Sequence, residues 1–360
     1  MNTQRVIALL GRKDEPTDAV EEYCRYLATA LIAHDIQLDL QRVPWEKIGW
    51  AQAFAHFKAS ATAWRGHWVL VQYTALAWSS RGFPVKFPRV LKLLKSAGAR
   101  VAIVFHDVQS FSGARLIDRF RRAVQIRTMR RSLSLADAAI FTVAIDQLSW
   151  LPRTPFNALF IPVGPNFPIP SSEIPPPANP VPTIGVFGIT GGEAGARETK
   201  LIVSAITLAS EKLGNLRLSV FGRHAELREG ELRNGFQNVP VQLSIEGVID
   251  PDQVVQRLTA CDLLLFVRGP ISSRRGSAIA GIACGLPVIA FSGSETASPV
   301  TEAGMVLIPR EEPPLIAEAL VRILSDSVFR AQLAARSRST FELHFSWPAI
   351  AAKFADFLSR

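Results

Sequence analysis

The chain is poor in cysteine: Cys24, Cys261 and Cys284 are the only three in 360 residues. Three widely spaced thiols form neither a metal-ligand spacing nor a disulfide framework, so buried, reduced thiols are expected. No apolar run of about 20 residues is free of charge, which argues against a membrane-spanning helix. Residues 1–5 pass straight into an apolar, strand-like segment, without the charged, apolar and small-residue order of a signal peptide. Cytoplasmic residence is therefore expected. Charged residues make up 20% against 48% hydrophobic, a balance that excludes a disordered chain. Acids are scarce in one half only. Residues 1–165 hold 22 Lys and Arg against 12 Asp and Glu, and residues 166–360 hold 18 against 19. The formal net charge of +9 thus belongs to the first half. So lopsided a field implies an anionic partner: a membrane surface, a phosphorylated acceptor or nucleic acid.

What is present points to two domains of roughly 150–180 residues each. In the first half, apolar runs at 5–10, 36–43, 68–73, 100–105, 138–143 and 158–162 predict strands. Helical spacing falls at 17–34, 46–64 and near 88–97. Such alternation indicates a parallel sheet with helices on both faces. Nine prolines between 162 and 182 exclude a helix or a central strand and predict an extended, semi-rigid linker. A second series then follows. Its strands are expected at 183–187, 216–221, 241–246, 262–267, 287–291 and 305–309, its helices near 197–213, 250–260, 277–284 and 312–324. Residues 347–358 predict an amphipathic helix. The expected fold is α/β, with two doubly wound Rossmann-like domains facing each other across a cleft. The domains are 1–165 and 183–340, joined by a linker at 166–182, and the C-terminal helix of 341–360 packs back toward the first domain. In open α/β folds, ligands bind outside the carboxyl ends of the strands.

Candidate chemistry gathers at those ends. Gly188, Gly191, Gly192 and Gly195 lie between a strand and a helix, where backbone N–H groups can approach phosphate and the helix offers its positive end. Arg197 and Lys200 follow. A plain strand-to-helix turn is the competing reading of this loop. Residues 272–277 form a second anion-site candidate. There Arg274 and Arg275 can pair with phosphate oxygens, Gly276 permits close approach, and Ser277 can cap the next helix. His106 and Asp107 follow the strand at 100–105; a histidine there can donate or accept a proton near neutral pH. Arg12, Lys13 and Asp18 lie in the loop after the first strand, where Thr17 or Asp18 can also cap a helix. Residues 115–131 carry seven arginines and one acid. Arg115, Arg119 and Arg122 share one face, with Leu116, Ile117, Phe120 and Val124 across from them. This predicts a basic amphipathic helix able to contact membrane or acceptor phosphates, or a solvated face over an ordinary core-facing stripe.

The order and spacing of four stretches resemble the family 4 (group 1) glycosyltransferases of the GT-B type. They are 246–253 (EGVIDPDQ), 260–266 (ACDLLLF), 281–290 (GIACGLPVIA) and 302–309 (EAGMVLIP). The Phe105, His106, Asp107 run resembles that family's post-strand histidine, and residues 161–164 (IPVG) resemble its interdomain strand end. The resemblance implies a nucleotide-sugar donor bound by 183–340 and an acceptor on the 1–165 side. It implies a retaining transfer to a glycan or lipid-linked acceptor without an enzyme nucleophile. The reaction would rest on stabilising the departing pyrophosphate by arginines and helix ends. Donor-side candidates are Gly188, Gly191, Gly192, Arg197, Lys200, Arg274, Arg275, Gly276 and Ser277. His106 is the catalytic candidate, and Arg12, Lys13, Asp18 and Asp107 are acceptor-side candidates. No cofactor and no metal is implied, since neither expected cleft loop carries a DxD-like signature. A role in polysaccharide assembly on the inner face of the membrane fits the basic half.

The sequence departs from the family at two donor positions. Where the family carries two glutamates eight residues apart, this chain has Ser272 and Ala280, and Ile189 stands where arginine is usual. A catalytically silent GT-B protein that binds a nucleotide or a partner is the first alternative. A nucleotide-sugar epimerase or a phosphorylase on the same plan is another. Nucleic-acid binding has only the basic charge behind it, with no reading motif and no aromatics interleaved in the basic helix, so no nucleic-acid partner is expected.

Overall fold

The computed structural model describes residues 3–15, 17–111, 113, 115–151, 156–169 and 179–360. The middle of the expected linker, 170–178, lies outside the described residues. The chain forms two compact units, Met1–Val163 with Trp347–Arg360, and Gly164–Ser346.

The first unit runs β1 (Gln4–Leu10), α1 (Ala19–Leu31), β2 (Ile36–Arg42), α2 (Trp45–Thr62), β3 (Trp68–Tyr73) and α3 (Phe87–Ser96). It continues through β4 (Arg100–Phe105), α4 (Leu116–Leu133), β5 (Ala138–Phe141) and β6 (Ala158–Phe160). The strands form one sheet in the order β2-β1-β3-β4-β5-β6, and every pairing is parallel. All six residues of β3 are buried, and so are five of the six in β4. A strand covered by helices on both faces needs such a continuous apolar run. Helix α1 starts where Asp18 Oδ1 accepts from the amides of Val20 and Glu21, and its buried Tyr23, Cys24, Leu27 and Leu31 make one stripe. Gly49, at φ 74°, kinks α2 and lets Trp45 and Trp50 stack at 5.1 Å.

The second unit runs β7 (Thr183–Phe187), α5 (Gly192–Leu213), β8 (Leu216–Phe221), α6 (Glu229–Gly235), β9 (Val241–Ile245) and α7 (Pro251–Thr259). It continues through β10 (Leu263–Pro270), α8 (Gly276–Ala283), β11 (Val288–Phe291), β12 (Met305–Ile308), α9 (Pro313–Ser325) and α10 (Ser327–Thr340). Its sheet order is β12-β11-β10-β7-β8-β9, again all parallel. Asp250 and Gln253 close a capping box ahead of α7, with Pro251 in the first turn. Helix α10 has no counterpart in the apolar periodicity, because only Leu333, Ser337 and Thr340 of its fourteen residues are buried.

The last helix, α11 (Trp347–Leu358), belongs to the first unit. Trp347 stacks on Tyr26 at 5.7 Å, Phe357 meets Trp68 at 4.8 Å, and Gln4 Nε2 donates to the Leu358 carbonyl at 3.1 Å. Burying Phe354 and Phe357 in full contributes about 1.5–3 kcal/mol each to holding the terminus there. Among the described residues no helix is long and apolar enough to cross a membrane. All three cysteines are free and buried, and burial raises each thiol, to about 12 for Cys261 and Cys284.

Candidate functional site

Each sheet reverses its direction of growth once. In the second unit β7 lies between β10 and β8, so the crevice beyond the carboxyl ends of β7 and β10 is the topological switch point. Gly188 directly follows β7. Its φ of 77° lies in the left-handed region, and a Cβ added there would stand 3.0 Å from Arg268 Nη1. The Gly188 amide donates to the Phe221 carbonyl at 2.7 Å and that of Ile189 to the Arg223 carbonyl at 2.9 Å, which ties the loop to the end of β8. Thr190 N donates to Glu198 Oε2 at 2.8 Å, so the buried Glu198 draws the loop onto α5. A Cβ at Gly195 would overlap the Thr190 carbonyl. His224, itself at φ 63°, lies with Nε2 3.3 Å from the Cβ position of Gly191. Arg228 Nη2 donates to the Gly192 carbonyl.

Two arginines at this switch point stand in a local excess of positive charge. Arg268, near the end of β10, and Arg275, just before α8, make no ion pair among the described residues. Burial lowers Arg268, and the Arg223 charge adds to that against the opposing pull of Glu198. Burial, with Arg274 and Arg268 nearby, pushes Arg275 down to about 10 against the opposing pull of Glu295 and Glu198. Arg275 stays protonated at neutral pH. Among the described residues, Arg275 Nε, Arg228 Nε and the Ser272 hydroxyl are buried without a hydrogen-bond partner. Buried donors are normally satisfied, and adjacent unpaired cations repel, so the arrangement has the chemistry of an anion site.

The remaining donor-side candidates are placed differently from the expectation. Arg274 is held by Glu295 in a two-pronged pair, Nε to Oε2 at 2.8 Å and Nη2 to Oε1 at 3.0 Å, so it is not an open phosphate ligand here. Arg197 and Lys200 are exposed on α5. Lys200 stands eight residues past Gly192, about 12 Å along the helix, where the terminal dipole has faded. Ser277 does not cap α8. The helix already includes Gly276, Arg275 holds the cap position, and no side chain caps it. Ala280 and Ser272 are fully buried. Arg268 escaped the sequence reading, although a charged residue directly after five apolar strand residues was a visible signal.

In the first unit the switch point lies between β1 and β3. A cavity of ≈ 230 Å³ there is lined by Gly11, Arg12, Asp18, Gln72, Thr74 and Asp107, among others. The adjoining groove of ≈ 710 Å³ is lined by Arg12, Lys13, Arg42, Glu46 and Lys47. Arg12 Nη1 reaches Glu46 at 3.2 Å, and the exposed Lys13 lies 3.9 Å from Glu15. Asp18 caps α1 and also accepts from Arg42 at 3.0 Å, so its oxygens serve the fold. Asp107 Oδ2 accepts from the Ala75 amide at 2.7 Å and fixes the loop after β3.

His106 differs from the expected proton carrier. Gln72 Nε2 donates to the Leu70 carbonyl at 3.1 Å, which turns its oxygen toward His106 Nε2 at 2.8 Å. The imidazole is thereby assigned as a neutral Nε2–H donor with its lone pair on Nδ1. The Tyr23 ring meets it edge-on at 5.0 Å. Burial lowers its pKa to about 4, so His106 does not titrate near neutrality.

Neither a protein-family model nor a curated protein matches the chain. Solved structures match along its whole length. HepE of Anabaena, solved with UDP and glucose, has a TM-score of 0.64 at 14% identity, with 99% of each chain covered. A glycosyltransferase of Rickettsia africae has a TM-score of 0.64 at 11% identity, covering 100% of this chain and 98% of that one. An α-glucosyltransferase, solved with UDP and a DNA 13-mer containing an HMU base, has a TM-score of 0.59 at 10% identity, covering 99% and 100%. At such identities the likeness establishes the fold, the two-unit α/β architecture of GT-B glycosyltransferases.

Proposed function

We propose that the protein is a nucleotide-sugar-dependent glycosyltransferase. The observation that carries this reading is the pair of part-buried arginines, Arg268 and Arg275, without an ion pair among the described residues, at the switch point of the second unit, in a fold whose solved neighbours include UDP complexes. A nucleoside diphosphate supplies the charge this pair lacks. Backbone amides of Gly191 and Gly192, and those of Gly276 and Ser277, add donors at two helix starts, while the engaged amides of Gly188, Ile189 and Thr190 hold the loop in place. As the glycosidic bond to the donor breaks, charge grows on the leaving diphosphate, and fixed cations there stabilise the transition state more than the ground state. The sugar passes to a hydroxyl of a glycan or lipid-linked acceptor, with retention, the hydroxyl proton going to the departing diphosphate, and the first unit's cavity beside Arg12 and Asp107 is the acceptor side. His106, neutral at working pH, serves as a hydrogen-bonding group rather than an acid. The setting is polysaccharide assembly at the inner face of the membrane, with the protein peripheral to it.

The test is a thermal-shift and transfer screen of the purified protein against UDP, GDP, ADP and their sugar conjugates, repeated on Arg268→Ala/Arg275→Ala. One nucleotide should raise the melting temperature of the wild type and not of the variant. No stabilisation by any nucleotide would remove the reading. The second reading is a silent GT-B scaffold, favoured by the absence of carboxylates at Ser272 and Ala280. Nucleotide binding without donor hydrolysis or transfer would select it.

A further inference from the structure

We infer that the start of α4 is a bilayer-docking ridge that inserts Leu116, Ile117 and Phe120 into an anionic membrane surface. The inference rests on the peripheral-membrane part of the proposed function and says which side chains achieve it. A helix whose apolar stripe faced the core would bury those residues. The reverse is seen: Leu116 is 81% exposed, Phe120 61% and Ile117 50%. Phe111, also exposed, lies under Arg121 of the same helix at 4.8 Å, and Phe83 joins the group through a ring contact with Phe120 at 5.9 Å.

A polar clamp on the opposite face sets the rotation. Asp118 and Gln125, one helical face apart by seven residues, are 8% and 5% exposed. Asp118 Oδ1 accepts from Arg121 Nη1 at 2.7 Å, and Arg121 Nε donates to the Arg81 carbonyl at 3.2 Å. Gln125 Oε1 accepts from the Phe111 amide at 2.7 Å, and its Nε2 donates to the Gly82 carbonyl at 2.9 Å. With the polar face locked inward, the apolar one must point out. Arg115, Arg119 and Arg122 flank it, all exposed and without an ion pair among the described residues. Apolar side chains bordered by unpaired cations complement an interface where anionic headgroups overlie acyl chains. A protein partner would not need the excess of charge.

The test is co-sedimentation of the full chain with phosphatidylcholine vesicles, with and without phosphatidylglycerol. Binding should occur only with the anionic lipid. Leu116→Ser/Ile117→Ser/Phe120→Ser should weaken it at least ~10-fold, and Arg115→Gln/Arg119→Gln/Arg122→Gln by about 100-fold, each arginine being worth about fivefold near the surface. Because a triple variant can misfold, Phe120→Trp provides a second reading: its emission should shift to the blue on anionic vesicles. The inference is overturned by absent binding, by binding unchanged in the serine variant, or by an unmoved emission. A dimer that the serine variant dissolves, with no vesicle binding, would assign the ridge to a second copy instead. Donor sugar is absent throughout, so failure here leaves nucleotide binding and transfer to be judged separately.

Discussion

Replacing Arg268 by leucine should weaken nucleotide binding and, at the same time, stabilise the ligand-free protein. The guanidinium stands against Gly188 at the end of β7, part-buried and without a carboxylate partner. Leucine keeps much of the apolar stem and removes the charge. Against a diphosphate, a charge-assisted hydrogen bond worth about 1.5–3 kcal/mol is lost, so Kd for the preferred nucleoside diphosphate should rise roughly 10- to 100-fold. In the free protein the change removes a part-buried charge and its repulsion with Arg223 and Arg275, which together outweigh the lost attraction to Glu198. That should contribute about 1 kcal/mol, or ~2–4 °C in Tm for a unit of this size. The assay is calorimetric titration with the nucleotide found by the screen, paired with thermal melts without ligand. Lost affinity together with lost stability would make Arg268 a structural residue. Unchanged affinity would move the diphosphate elsewhere. Only the opposed signs support an anion site held open at a cost to the fold.

Arg274→Ala should behave in the other sense. It strands Glu295, whose side chain is only 11% exposed, so stability should fall by about 1–3 kcal/mol, and a double-mutant cycle in denaturant melts should return most of that as coupling with Glu295. His106, lowered to about 4 from its ordinary 6.5, binds its proton more weakly folded than unfolded. Its neutral form supports the fold fully above pH 6.5, and that support is lost as pH falls toward 4, by up to about 3 kcal/mol. Denaturant midpoints of wild type and His106→Gln should therefore converge as the pH is lowered; a constant gap over that range refutes the assignment. Gly195→Ala drives a Cβ into the Thr190 carbonyl and should displace the glycine loop, costing about 1–3 kcal/mol of stability and most of the nucleotide-induced thermal shift.

Much of the architecture is written in short stretches of chain. The buried strands β3, β4 and β10 are continuous apolar runs, the start of α7 follows from Asp250, Pro251 and Gln253, and the glycine loop after β7 announces a turn that only small residues permit. These are local effects, since periodicity, caps and left-handed backbone depend on residues a few positions apart. The chemistry of the candidate site is not local. Arg274 reads as a phosphate ligand until Glu295, 21 residues on, takes it. Arg268 reads as the end of a strand until the parallel pairing of β10 with β7 brings it to Gly188. Helix α4 shows two candidate stripes, and its rotation is chosen by Gly82 and Arg81, some 40 residues earlier, whose carbonyls claim Gln125 and Arg121. Sequence alone determined where most strands and helices form, α6 and α10 apart, because that is decided by neighbours in the chain. Which charges are neutralised and which faces stay open was decided only by the tertiary structure, because the neutralising partners are distant in sequence and meet only when the sheets assemble.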